Sequence, residues 1–211
     1  MKIMDLTHMI MENMSMFPGS ENPKFESIGV LEKDGFEEKK ITIYSHTGTH
    51  MDAPRHIIPN SKGLDDFLPE KFIGKGAVVD AKGKGGITLE LLSKYEREID
   101  KSDFVLINTG WDRYWGDDRY YRGFPSMTIE AALWISCKNI KGVGIDAISV
   151  DPIDSSDLAN HNIFLKKEIL IIENLKFLEK LYGREFLFSA LPLKIKNSDG
   201  SPIRAVAILD I

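Results

Sequence analysis

The chain has 211 residues, 43% of them hydrophobic and 28% charged, enough for one domain over residues 1–211 with a full hydrophobic core. Its 27 basic residues are outnumbered by 32 acidic ones, and pairs such as Lys39-Lys40 and Lys166-Lys167 are too short for a nucleic-acid-binding tract. The single cysteine, Cys137, excludes an internal disulfide framework, and no apolar run approaches the ~20 residues of a membrane span.

In chain order, the opening "MKIMDLTHMIMENM" is rich in methionine, but Asp5, His8 and Glu12 interrupt it, which rules against a signal peptide. A cytoplasmic protein is expected, with a small-molecule substrate and with neither nucleic acid nor membrane as partner. Turn signals at Pro18-Gly19 and Asp34-Gly35 predict hairpins in the first sixty residues. Residues 44–52 read as an extended strand. Buried strands are predicted at 77–80, 104–107, 142–145, 169–172 and 205–208 from their short β-branched runs. A helix is expected over about 88–97. A second should start after Thr128 as N-cap, with Glu130 in its first turn and Cys137 as a small buried residue near its end. Residues 83–86 are a turn, not a phosphate loop. Strands alternating with helices after a hairpin-rich start predict an α/β fold with a mixed sheet.

Three of the five histidines fall in "SHTGTHMDAPRH", residues 45–56. On an extended strand His46, Gly48, His50 and Asp52 share one face. A straight strand would hold His46 and His50 roughly 13 Å apart, too far for two ligands at ~2 Å from one ion. Gly48, midway between them, permits the kink that closes this gap. Further ligands must come from elsewhere. His161 sits in the polar segment "DSSDLANHN", and Glu173 ends the predicted strand at 169–172. His8 precedes the apolar Met9-Ile10 and reads as structural. No nucleophile elbow, P-loop or Cys-x-x-Cys pair competes with this arrangement. The segment "GWDRYWGDDRYY", residues 110–121, is suited equally to aromatic substrate walls and to a structural surface.

The stretch "HTGTHMDAPRH" resembles the signature of the cyclase family of metal-dependent hydrolases, which includes kynurenine formamidases and isatin hydrolases. "DLTHMI", "FPGSENP", "NTGWDRYW", "GIDAISVDP" and "DLANH…IENL" extend the resemblance over nearly the whole chain. The resemblance implies a swivelling β/β/α fold and a homo-oligomer, dimer or tetramer. It implies that His46, His50 and Asp52 bind a first metal, and that Asp52 and Glu173 bridge to a second, completed by His161. His56 would be the acid/base. Phe17 stands where the family's formamidases carry a substrate-stacking tryptophan, which keeps an aromatic wall but leaves the substrate open. Ile57 stands where the signature often continues with phenylalanine. Imidazoles and carboxylates suit two Zn²⁺ ions, with Mn²⁺ the rival. The expected reaction is attack of a metal-acidified water on an amide or formamide carbonyl, with His56 shuttling the proton. Cyclic amides of the isatin type and lactones are the alternative substrates. A noncatalytic metal-binding scaffold is the alternative of a different class.

Overall fold

β-Branched and aromatic runs alternate between two hydrophobic cores, and this alternation builds the sheet. A computed structural model describes residues 1–210. Its strands are β1 (Lys2–Asp5), β2 (Lys24–Gly29), β3 (Glu38–Thr42), β4 (His50–Asp52), β5 (Ile73–Asp80), β6 (Phe104–Asn108), β7 (Gly142–Ile145), β8 (Leu170–Glu173), β9 (Leu187–Ser189), β10 (Gly200–Pro202) and β11 (Val206–Leu209). Nine of them form one mixed sheet in the order β1-β11-β9-β5-β6-β7-β8-β4-β10. The central β5 to β8 run parallel, and the flanking strands are antiparallel. β5 serves both halves: residues 76–80 pair with β6, and residues 73–75 pair with β9.

In β6, Val105 and Ile107 enter one core, while Phe104 and Leu106 enter the other. Ile171 of β8 faces the first core, and Leu170 and Ile172 face the second. Strands buried on both faces need apolar side chains at every position, as the sequence has them. The helices are α1 (Leu31–Asp34), α2 (Leu89–Ser93), α3 (Glu96–Ile99), α4 (Ile129–Ile135) and α5 (Ala159–Leu165). α2, α4 and α5 cover the first core through Leu91, Leu92, Ala131, Ile135 and Phe164. The second core is closed by β9, β11 and the loops around them, with Phe104 edge-on to Phe188 at 5.1 Å between ring centroids. Among the described residues, no helix is long and apolar enough to cross a membrane.

Several sequence expectations need correction. The helix expected over 88–97 is two short ones. It starts as foreseen, with the Thr88 hydroxyl accepting the Leu91 N–H at 3.2 Å. It then tightens into three-residue turns at Lys94 and Tyr95, where Tyr95 packs on the first core and begins a new turn. Thr128 caps α4 as expected, but α4 ends at Ile135 and Cys137 lies beyond it, exposed rather than buried. Asp34-Gly35 does turn a hairpin, β2–β3, around the one-turn α1. Pro18-Gly19 forms a turn without a hairpin, because β1 pairs with β11 at the far end of the chain. Of the strand expected over 44–52, only residues 50–52 are extended.

Candidate metal centre

The site begins with that broken strand. The Thr47 hydroxyl accepts the Tyr44 N–H at 3.0 Å and folds residues 44–47 into a turn. Gly48 follows at φ +67°, a conformation that side chains rarely adopt. The kink brings the rings of His46 and His50 to 5.1 Å between centroids, nearly perpendicular, in place of the separation a straight strand would impose. β4 then inserts between β8 and β10, with His50 opposite Glu173 and Asp52 opposite Gly200. Gly200 leaves room for the His46 ring: a Cβ there would lie 2.6 Å from the ring's Cε1.

His161 is in the first turn of α5, not in a loop as its polar neighbours suggested. The helix start is set by Asp151, whose two oxygens accept the Asn160 and His161 N–H groups at 2.9 and 3.1 Å. The same carboxylate takes the ring Nδ1–H of His161 at 2.6 Å, which turns Nε2 inward. Likewise the ring Nδ1–H of His50 donates to the Gly48 carbonyl at 2.9 Å, and its Nε2 also points inward. Glu173 ends β8 and accepts the Val150 N–H at 3.3 Å.

The two inward imidazoles meet two carboxylates in a regular pattern. Nε2 of His50 lies 3.3 Å from Asp52 Oδ1 and 3.5 Å from Glu173 Oε2. Nε2 of His161 lies 3.5 Å from Asp52 Oδ2 and 3.5 Å from Glu173 Oε1. Each carboxylate therefore gives one oxygen to each histidine. These spacings exceed ordinary hydrogen bonds. They match the ~3.4 Å between donors that share a tetrahedral ion at ~2.0–2.1 Å. Asp52 is fully enclosed, and its Oδ2 is buried without a hydrogen-bond partner among the described residues. An unpartnered carboxylate oxygen in a dry site is costly unless a cation completes it, so these residues fit a divalent metal.

His46 joins the cluster differently. Its Nδ1 is 2.7 Å from Asp52 Oδ1 and its Nε2 is 3.0 Å from Asp199 Oδ2. Burial disfavours its charged form, but Asp52 and Asp199 outweigh burial and hold its pKa up to about 9. His56 closes a one-turn helix, residues Pro54–His56, at the more open edge of the cluster. Its ring is 4.1 Å from that of His46 and 6.1 Å from that of His161, and Asp199 lies 3.8 Å from its Nδ1. Burial pushes its pKa down, and the attraction of Asp52 is countered by the repulsion of His46 and His161. His56 also falls within a potential ligand group with Asp52 and His161.

His8 stays outside the cluster, stacked on Trp115 at 4.1 Å. Phe17 is half exposed on the surface. The aromatic segment 110–121 turns inward: Tyr120 is fully buried, Trp115 stands edge-on to it at 5.2 Å, and Trp111 Nε1 donates to the Tyr120 carbonyl at 3.1 Å. Asp151, Asp199, Asn174 and Tyr120 were not singled out from the sequence. Asp151 and Asn174 lie within quoted runs, "GIDAISVDP" and "IENL", but nothing local marks their partners.

Comparison with known proteins gives the family and the fold. The chain is 38% identical over 213 residues to an uncharacterized protein of Methanocaldococcus jannaschii, covering 99% of this chain and 100% of that protein. It is 30% identical over 206 residues to the kynurenine formamidase of Bacillus cereus, covering 96% and 95%. An isatin hydrolase bound to the product analogue thioisatinate has the same fold, with TM-score 0.88 at 24% identity over 99% of this chain and 93% of that one. A family model described as putative cyclase matches residues 4–152, from β1 through the histidine cluster to Asp151. This match, together with the 38% identical relative, shows that the chain belongs to the putative cyclase family.

Proposed function

We propose that the protein is a metal-dependent hydrolase that opens an amide or formamide C–N bond of a small molecule, in the manner of an arylformamidase. One observation carries the reading: Asp52 and Glu173 each direct one oxygen toward His50 and the other toward His161. Two divalent ions would be held by these residues, one by His46 and His50 and the other by His161, with Asp52 and Glu173 available to both. Imidazole and carboxylate donors favour Zn²⁺, with Mn²⁺ as the rival. What such ions supply when bound is a water of lowered pKa and polarisation of a carbonyl oxygen.

The chain's own residues supply the rest. Asp52 and Glu173 concentrate negative charge in a buried site and so select cations. Asp151 holds the His161 ring through Nδ1, which turns Nε2 toward Asp52 and Glu173. His56, at the open edge, is positioned to take a proton from the nucleophile's side and return it to the leaving amine. The products are then an acid and an amine. Phe17 is proposed as an aromatic wall for the substrate. The reducing cytoplasm suits the lone, exposed Cys137. The β2–β3 hairpin exposes Ile28, Phe36 and Ile41, which supports self-association into a dimer or tetramer.

A second reading, hydrolysis of a cyclic amide, is favoured by the fold shared with isatin hydrolase. Metal-loaded protein assayed on N-formyl aromatic amines, isatin-type cyclic amides and lactones separates the two. Formamide hydrolysis that stops with chelator and returns with Zn²⁺ or Mn²⁺ is the expected result. Turnover of cyclic amides alone would favour the second reading. Folded, metal-loaded protein inert to all three classes would leave a noncatalytic metal-binding scaffold.

A further inference from the structure

His50 lacks a carboxylate behind its ring, unlike His161, which leans on Asp151. Its Nδ1–H instead donates to the Gly48 carbonyl, which belongs to the peptide after the kink. A glycine there leaves that peptide free to rotate, so something must hold its carbonyl pointing at the ring. Asn174 does this. It directly follows Glu173, is buried, and adopts the left-handed conformation at φ +59°, which asparagine tolerates better than most residues. Its Nδ2–H donates to the Gly48 carbonyl at 2.8 Å, beside the bond from His50. Its Oδ1 accepts the Tyr120 hydroxyl at 2.7 Å. The orientation of the amide follows from these partners: a flipped amide would set its oxygen against the Gly48 carbonyl. Burial keeps Tyr120 protonated, with its pKa well above the ordinary tyrosine value, so the hydroxyl is available as a donor. A second bond, from the Thr49 hydroxyl to the Asn174 carbonyl at 2.6 Å, ties the same two segments together.

Resting on the metal-centre reading above, we propose that Asn174 and Tyr120 are positioning residues for the centre. Asn174 fixes the Gly48 carbonyl and thereby holds His50 as the Nδ1–H tautomer, with Nε2 bare toward Asp52 and Glu173. Tyr120 acts through Asn174 by holding its amide. The aromatic segment 110–121 is thus a brace for a ligand as well as a wall of the core. The Asn174–Gly48 and Thr49–Asn174 bonds also join the two chain segments that carry His50 and Glu173, so both donors are set before an ion arrives. This pre-setting raises affinity because a free imidazole divides its time between tautomers and orientations.

The test compares wild type, His50→Ala, Asn174→Asp and Tyr120→Phe, all stripped of metal and titrated with Zn²⁺ against a chromophoric chelator. In Zn²⁺-loaded samples, long-range ¹⁵N–¹H NMR reads the His50 tautomer, and circular dichroism checks folding. Asn174→Asp keeps the shape and the acceptor for Tyr120, but it sets an oxygen where the N–H faced Gly48. It is expected to weaken Zn²⁺ binding about 10- to 100-fold, the range for partners behind a ligand. Tyr120→Phe should weaken it less, about tenfold at most. Both should reduce the Nδ1–H population of His50, and His50→Ala should abolish tight binding. If His50→Ala loses the metal while both other variants bind within about twofold of wild type and keep the tautomer, the positioning role is overturned and the metal centre stands. If His50→Ala binds as wild type does, the metal-centre reading itself fails. Should Asn174→Asp not fold, Tyr120→Phe, which only removes an oxygen, decides by the same two readouts. If Asn174→Asp alone shows the effect, the part assigned to Tyr120 is overturned.

Discussion

Seven residues separate two strands that live in opposite environments. β3 is exposed along its whole length, and with β2 it forms a hairpin apart from the main sheet. Its charged groups pair on the surface, as Lys40 does with Glu26 at 3.1 Å. β4 is buried at every residue and flanked by strands on both sides. On β3, water satisfies any polar group, so identity matters little. On β4 each polar atom needs a designated partner, and Asp52 Oδ2 has none among the described residues. The contrast shows what burial asks of polar groups: on β4 they gather with Glu173 and His161 into a cluster that fits a cation.

The largest effects should come from β4. His50→Ala should sharply lower the divalent metal content and reduce activity to the metal-free level, as metal analysis beside an assay would show. Wild-type protein carrying no metal, or a variant with unchanged content, would break the contrast at its centre. Next comes His56, at the cluster's edge. His56→Ala is expected to stay folded and keep its metal, lose ~10²–10⁴-fold in turnover, and lose a limb of the pH profile of kcat. A metal-free variant would make His56 a ligand.

His46 sharpens the same comparison through protons. Because Asp52 and Asp199 hold its pKa up to about 9, it is charged at pH 8 in the metal-free protein. A cationic imidazole cannot ligate, so metal uptake at pH 8 should release a proton, and His46→Asn should reduce that release. Calorimetry in buffers of different ionisation enthalpy measures it. Equal proton release in both proteins would remove His46 from the ligand set.

His8 tests burial without a metal. Burial, aided by Lys176 and opposed by a hydrogen bond to the Leu175 backbone, lowers its pKa to about 4. The unfolded chain, near 6.5, takes the proton first, so this stability is complete above pH 6.5 and drains away as pH falls to 4. The full effect is roughly 3 kcal/mol at 1.36 kcal/mol per pH unit. His8→Phe keeps a ring on Trp115 and should flatten that part of the urea-derived stability curve; parallel wild-type and variant curves would contradict it. The smallest change should be Lys40→Ala on β3, within about 1 kcal/mol, as for exposed ion pairs generally. A larger loss in the same urea titrations would mean that the hairpin is covered in solution, as self-association requires.

Much of this was legible in the linear chain. The buried strands show themselves because a strand covered on both faces needs an apolar residue at each position, as residues 104–107 and 169–172 have. The kink was readable too, since two imidazoles four residues apart cannot share an ion unless Gly48 bends. Ligand chemistry lies in residue type, and Glu173 was marked by its place at a strand end. These are local properties, carried by neighbours within a few positions.

Only the tertiary structure decided what stands behind the candidate ligands. Asp199 reaches His46 across 153 positions, and Asn174 reaches Gly48 across 126. Nothing near Tyr120 in sequence marks it as the donor to Asn174, and it lay in a segment equally suited to a substrate wall or a surface. β1 likewise found its partner in β11 rather than in a neighbour. A hydrogen bond depends on where two atoms arrive, and only the closed sheet sets that, by packing its two cores on opposite faces. Local sequence could name the candidate donors, but the fold alone determined which ring nitrogen each one turns inward.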